Sequence, residues 1–349
     1  MYSQVTETIL AFSWAFIIAI FAIPSITYLA HIKNLLDEPN GRTVHASSTP
    51  RLGGLAIFAG FMSSLTIFGD FLSGNDVQYM LAGCILIFFI GLKDDISPVS
   101  PFKKFFVQVL SAGIVLVLGD IRVTSFYGFL HIYGIDPGVS YAFSFLMIIG
   151  ITNAINLIDG LDGLAGSIIL FISITFGFFF LIDESPYAIV AFCMAGALVG
   201  FLRYNIFRAS IFMGDTGSLV SGFIIALLAV KLIEEPPTLL GDTSAVMALA
   251  VLIIPVGDTL RVFFLRTISG RSPFEPDKNH IHHRLVDLGC SQLQTVLVLI
   301  CINAFFVALA FYLRPLSINQ SIAILFCVLT TMFILVELLY YRKKRHTVS

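Results

Sequence analysis

The sequence predicts an all-α polytopic membrane protein, with about eleven transmembrane helices forming one integral-membrane domain over residues 1–349. Three observations carry this prediction. The chain is 57% hydrophobic and only 12% charged, about half the charged share of a soluble domain. Its apolar runs approach the roughly 20 residues that cross a bilayer as helix, and no polar stretch between them is long enough for a separate soluble domain. Once the runs alternate across a membrane, the basic residues fall almost wholly on one side.

In order, the runs are 9–30, 53–71, 77–92, 104–118, 141–156, 164–182, 187–202, 216–233, 244–265, 292–313 and 319–341. The first lacks a basic leader and a small-residue cleavage site, so it reads as a retained helix. Runs 77–92 and 141–156 are short enough that their polar ends are expected inside the membrane. One side then holds 17 of the 20 lysines and arginines, and the other only Arg122, Lys231 and Arg314. The positive-inside rule places the N-terminus outside and the C-terminus in the cytoplasm. Cys84, Cys193, Cys290, Cys301 and Cys327 form no CxxC pair and read as small core residues.

The unusual polar clusters share the basic, cytoplasmic side: DEPNGRTVHASSTPRLGG (37–54), KDD (93–95), NAINLIDGLDG (153–163), FMGDTGS (212–218) and NHIHHRL (279–285). That face is the expected working face. Asp94 and Asp95 end a helix, where carboxylates oppose the macrodipole unless a cation or a proton-transfer role compensates. A solvated helix terminus is the plain alternative. Asn153, Asn156, Asp159 and Asp162 recur every third residue, roughly on one helical face, and supply oxygen ligands suited to a hard cation such as magnesium. Asp215 sits between glycines at a helix entrance, as an N-cap or beside an anion-binding helix N-terminus. The three imidazoles of NHIHHRL fit a metal site, a solvated loop or a grip on an anion. Their spacing differs from the i, i+4 pair of helical zinc sites, and no acid lies within the motif.

Together and in this order, DEPNGRTVH…PRLGG, GLKDD, NAINLIDGLDGLAG, IFMGDTGS and SPFEPDKNHIHHRL resemble the polyprenyl-phosphate N-acetylhexosamine-1-phosphate transferases, the glycosyltransferase 4 family. The histidine stretch is closest to the bacterial undecaprenyl-phosphate alpha-N-acetylglucosaminyl 1-phosphate transferase branch. The resemblance implies a magnesium enzyme, with manganese as a substitute. It moves N-acetylglucosamine 1-phosphate from UDP-GlcNAc to undecaprenyl phosphate, releasing UMP. This is the first membrane step of O-antigen, common-antigen or teichoic-acid synthesis at the bacterial cytoplasmic (inner) membrane. A UDP-N-acetylhexosamine and a polyprenyl phosphate are the implied partners, a homodimer is compatible, and no nucleic acid is implied.

By the same resemblance Asp94 deprotonates the acceptor phosphate with Asp95 as its partner, although a covalent aspartyl route stays open. Asp215 is the principal magnesium ligand and Asn156 the second. Asp162 and Asn205 bind uridine, and Phe212 stacks on uracil. Lys104 or Lys103 contacts phosphate, and His45 and Arg51 help hold polyphosphate or the lipid head. Read from the residues themselves, His280, His282, His283 and Arg284 supply hydrogen-bond donors and positive charge as a sugar-phosphate clamp, with at least one imidazole left to orient the loop. Asp159 and Asp258 are supporting, the latter either as an ion pair with Arg261 that fixes the helix carrying the histidine loop or as a capped Asp beside a snorkelling Arg. Arg208 stands where many relatives carry proline. GalNAc, QuiNAc or FucNAc donors are the alternatives within the family. A transporter is the rival outside it, but its polar residues belong at the membrane midplane and not at helix ends.

Overall fold

The computed structural model describes residues 2–36, 49–69, 76–272 and 279–348. Among them are thirteen α-helices: α1 (Tyr2–Ile32), α2 (Gly53–Phe68), α3 (Asp76–Ile96), α4 (Pro101–Gly113), α5 (Pro137–Leu157), α6 (Leu164–Ile182), α7 (Tyr187–Asn205), α8 (Gly214–Glu234), α9 (Ser244–Val251), α10 (Ile253–Ile268), α11 (Ile281–Asp287), α12 (Gln292–Tyr312) and α13 (Ile318–Val348). Eight helices are long and apolar enough to cross a membrane, or nine if the bent pair α9–α10 is one span. The chain is therefore an all-helical polytopic membrane protein in its main architecture. The expected runs 53–71 and 77–92 fall on α2, a 16-residue helix, and within α3, neither of which is among the eight. One short exception to all-α lies in the loop expected over 119–140. There β1 (Ser125–Phe129) and β2 (Ile132–Gly134) form an antiparallel hairpin, with Phe129 opposite Ile132.

Helix α8 is the axis of the bundle and is wholly enclosed by its neighbours. It is apolar all round, as an interior helix must be, and α2, α3, α5 and α6 pack on it. Further out, α1 packs on α2 and α7 through a stripe of Ala11, Ala15 and Ala19, all fully buried. A Cβ on Gly60 of α2 would lie 2.6 Å from the Ala15 carbonyl oxygen, and one on Gly196 of α7 would collide with the Phe12 carbonyl. Small residues permit this close backbone approach where the bilayer offers no hydrophobic drive between helices. The same device seats α2 and α3 on the first turn of α8. A Cβ on Gly91 would stand 2.6 Å from the Thr216 Cα, and one on Gly54 would meet the Gly217 amide.

The run expected over 244–265 breaks between α9 and α10 with a bend of 61°. Its cause is Pro255, which has no N–H to offer the carbonyl four residues back and crowds it sterically. That carbonyl belongs to Val251, and Asn303 Nδ2 of α12 donates to it at 2.9 Å. Asn303 is fully buried. An amide side chain thus satisfies the acceptor freed by the kink, as irregular backbone away from water requires.

Candidate active site

The polar residues converge where α3, α4, α5 and α8 meet. Asp94 and Asp95 occupy the last turn of α3 and point to different partners. Asp95 accepts from the Asp215 and Thr216 amides at 2.7 and 2.9 Å and from Thr216 Oγ1 at 2.5 Å. It therefore caps α8 from another helix, satisfying amide donors that a helix start leaves open. Both Asp95 oxygens are engaged in this capping, and the Asp215 and Thr216 amides face Asp95 in place of an open anion site.

Asp94 Oδ1 accepts from the Val99 amide at 2.6 Å, and its Oδ2 pairs with Lys104 Nζ at 3.2 Å. Lys104 continues to Asp215 Oδ2 at 2.8 Å. On the other side of Asp215, Asn156 Nδ2 donates to Oδ1 at 3.3 Å and to Ser218 Oγ at 2.8 Å. One ammonium therefore bridges two carboxylates from different helices, with an amide on the far side. Lys104 and not Lys103 makes these contacts. Lys103 is exposed on α4, one residue away and so turned about 100° round the helix from Lys104.

The spacing-of-three expectation holds for only half of its residues. α5 ends at Leu157, so Asn153 and Asn156 are helical while Asp159 and Asp162 lie in the following turn. Asn153 Nδ2 donates to Gln108 Oε1 of α4 at 2.8 Å, holding α5 to α4. Asp159 is open on the surface. Crowding by the surrounding chain, and then the nearby Asp215, Asp95 and Asp162, push its carboxyl up to about 7 against the opposing pull of Arg51. Gly163 closes the turn at φ +74, a left-handed conformation that glycine adopts without strain.

Asn205 and Asp162 stitch loops together. Asn205 Oδ1 accepts from the Gly163 amide at 2.8 Å and its Nδ2 donates to the Ile211 carbonyl at 2.9 Å. Asp162 Oδ2 accepts from the Ala209 amide at 3.4 Å. Both residues are buried, and the amide of Asn205 is committed to backbone, so it is not a free uridine contact. Arg208, the departure from the family pattern, adopts φ +54 inside this loop. Phe212 is half-buried. Its amide donates to the Pro50 carbonyl and its carbonyl accepts from the Gly53 amide, both at 2.8 Å, which ties the segment carrying Arg51 to the start of α8. Arg51 is exposed beside this junction. His45 lies outside the described residues.

The histidine segment divides into anchors and a face. Asp258 is buried on α10 and accepts from the Ile281 amide at 3.0 Å, while His280 Nδ1 lies 2.8 Å from its Oδ2. Arg261 pairs with Asp258 at 3.0 Å, as the sequence pattern anticipates. Arg284 donates to Asn279 Oδ1 at 2.6 Å and to Glu337 Oε1 at 3.2 Å, and lies over the Tyr340 ring. His280 and Arg284 are thus engaged in holding the segment, the loop-orienting part anticipated for at least one of the imidazoles. His282 is 1% exposed and neither ring nitrogen has a hydrogen-bond partner among the described residues. Burial, and then His283, push its imidazole down to about 3. A Cβ on Gly160 would stand 2.5 Å from His282 Nε2, so the histidine segment docks directly on the turn that carries Asp159. Only a glycine leaves room for that contact.

The donor set of the carboxylate cluster is all oxygen: Asp94, Asp215 and the Asn156 amide. Magnesium is held by one or two carboxylates and otherwise keeps its waters, so these residues fit it. Among the described residues no group of three or more His, Cys, Asp or Glu gathers as a ready metal cage. The His280 and His282 rings lie stacked at 5.7 Å and 9°, and their nitrogens do not converge on a common point. Sequence reasoning missed Thr216, Ser218, Gln108, Asn279, Glu337 and Tyr340. Glu337 alone carried a signal, as an acid inside an apolar run.

Comparison with known proteins now adds an independent line. Residues 77–233 match the family model described as glycosyl transferase family 4. The chain is 32% identical over 336 residues, 96% of its length and 92% of the relative's, to a probable undecaprenyl-phosphate N-acetylglucosaminyl 1-phosphate transferase of Bacillus subtilis. It is 31% identical to a decaprenyl-phosphate N-acetylglucosaminephosphotransferase of Mycobacterium tuberculosis, over 86% of this chain and 82% of that one. An undecaprenyl-phosphate alpha-N-acetylglucosaminyl 1-phosphate transferase of Escherichia coli is 28% identical over 76% of this chain and 72% of its own. The matched region contains Asp94, Lys104, Asn156 and Asp215, the residues that the fold brings together. The chain belongs to glycosyl transferase family 4, with the polyprenyl-phosphate N-acetylglucosamine 1-phosphate transferases, and is a phosphotransferase.

Proposed function

We propose that the protein transfers N-acetylglucosamine 1-phosphate from UDP-GlcNAc to undecaprenyl phosphate, giving undecaprenyl-diphospho-GlcNAc and UMP. The observation that carries this reading is Lys104 bridging Asp94 and Asp215 at 3.2 and 2.8 Å. A lipid phosphate and a nucleotide diphosphate repel each other, so their reaction needs fixed positive charge and a group to manage the acceptor's proton. Asp94, partly exposed beside Lys104, takes the proton of the acceptor phosphate. The freed oxygen forms a bond to the β-phosphorus of the donor, the bond to the bridging oxygen breaks, and UMP leaves with that oxygen. Lys104 screens the charge that builds up on the transferred group. Asp215, with Asn156 beside it, would hold a magnesium ion, which would supply further neutralisation of the diphosphate.

The lipid side of the reading rests on an apolar groove of about 680 Å³ between α5, α9–α10 and α13, lined by Phe126, Phe143, Leu146, Leu252, Leu260 and Phe326. Leu146 and Gly150, which line the groove, share α5 with Asn153 and Asn156, so one helix leads from an apolar seat to the polar cluster. A long isoprenoid has the chemistry for such a seat. The basic asymmetry of the loops supports eleven spans with the cluster on the cytoplasmic side of the bacterial inner membrane. The names of the relatives favour GlcNAc over GalNAc, QuiNAc or FucNAc.

The test is direct. Purified enzyme with undecaprenyl phosphate and magnesium is offered a panel of UDP-N-acetylhexosamines, and UMP release is followed. Turnover is expected with UDP-GlcNAc above the others. Preference for another sugar would correct the donor, and no turnover with any of them would sink the reading.

A further inference from the structure

One carboxylate outside the cluster organises more of the molecule than its place in the sequence suggests. Glu337 lies on α13, and its Oε1 accepts from Arg261 Nη1 at 2.8 Å and from Arg284 Nε at 3.2 Å. Both guanidinium groups are nearly buried, with side chains 10% and 12% exposed. Each arginine then reaches the histidine segment. Arg261 donates to Asp258 Oδ1 at 3.0 Å and to the Asn279 carbonyl, and Arg284 donates to Asn279 Oδ1 at 2.6 Å. Asp258 in turn holds the Ile281 amide and His280.

Two cations here face two carboxylates, and Glu337 is the only one shared by both arginines among the described residues. Removing it would leave Asp258 alone against Arg261 and Arg284 in a site too enclosed for water to compensate, and unpaired buried charge is costly. The network would then repack, and the part free to move is the short segment 279–289, whose α11 is only seven residues long. A second strap points the same way, since Lys343 Nζ of α13 donates to the Asp287 carbonyl at 3.1 Å.

We propose that Glu337 is a positioning residue: it holds the histidine segment at the height where His282 docks on Gly160, beside the turn that carries Asp159. This rests on the reading of the segment as the donor's sugar-phosphate contact. Glu337 touches no substrate and acts through Arg261 and Arg284. Glutamine at this position keeps the volume and one acceptor oxygen but loses the charge that two guanidinium groups share. Aspartate keeps the charge on a shorter arm.

The experiment compares the full-length wild type with Glu337→Gln and Glu337→Asp in detergent. Three quantities are read: KM for donor and acceptor, amide hydrogen exchange over 279–289, and the melting temperature. Glu337→Gln is expected to raise donor KM about tenfold while changing acceptor KM less than about twofold. Exchange over 279–289 should rise with that of α8 unchanged, and Glu337→Asp should recover part of both effects. Unchanged donor KM and unchanged exchange would overturn the proposal. So would equal losses for both substrates with a lowered melting temperature, the mark of a merely structural residue. If the wild type releases no UMP from any donor, the proposed function fails by itself. The exchange measurement then decides whether Glu337 holds the segment, since it needs no turnover.

Discussion

The two ends of α8 carry charge in opposite arrangements. At one end Lys231 is 6% exposed and stands amid its partners, Asp76 at 2.5 Å and Glu235 at 2.8 Å, with the Tyr187 ring 5.1 Å away. Tyr187 Oη closes the ring by donating to Asp76 at 2.8 Å. At the other end a carboxylate is central. Asp215 lies next to Asp94, bridged by Lys104, has its amide capped by Asp95, and faces Asp159 across the turn. Opposite charges converging on a cation make a lock between helices. Like charges converging on a carboxylate raise the energy of the site and make sense where a cation or a proton is to be received.

This contrast can be broken by one pair of variants. Asp215→Asn should cost about 10³-fold in turnover, the scale of losing a key electrostatic or acid–base group, with the melting temperature little changed. Lys231→Met should leave turnover per folded molecule as it is. It should lower stability by only about 1–2 kcal/mol, because Asp76 and Glu235 retain water when the lysine is gone. A Lys231→Met enzyme as inactive as Asp215→Asn would end the distinction. Lys104→Gln sharpens it. The lysine sits among acids like Lys231 but is shared with the proposed chemistry, so about 10²-fold lower turnover is expected in steady-state assays.

The smallest effect is one of pH. The imidazole of His282 is held down to about 3, well below its ordinary value of about 6.5. Between those values the unfolded chain binds a proton that the folded chain refuses. Stability is therefore whole above about pH 6.5 and is lost as pH falls toward 3. Melting temperatures from pH 7.5 to 5 should show a loss on the order of 1 kcal/mol, and His282→Asn should flatten that part of the curve.

The helices were legible because length and hydropathy are local properties, and over the described residues each expected apolar run is mostly helical. The kink was not, although Pro255 and Asn303 were both visible. A proline inside a span and an asparagine in another gain meaning only when the fold brings them together. The motifs were legible as clusters of polar side chains, but the contacts their members make with one another were not. Asp95, Asn205, His280 and Arg284 are polar residues in chemically suggestive surroundings, yet they tie backbone to backbone or loop to helix. Residue type tells what a side chain can bond to, and only the tertiary structure tells whether that capacity is already used. Glu337 shows the converse, a single acid in an apolar run whose partners lie some 50 and 76 residues away.

Asp94 and Asp95 are neighbours in the chain, and Asp95 grips the first turn of α8 through the Asp215 and Thr216 amides. The spacing between the proposed base and the proposed metal ligand is thereby set by one peptide unit and a pair of hydrogen bonds. The two aspartates work as a gauge, with one jaw clamped on α8 and the other turned to Lys104. Sliding α3 along α8 would carry both jaws together, so the register of these two helices becomes the dimension of the reaction centre.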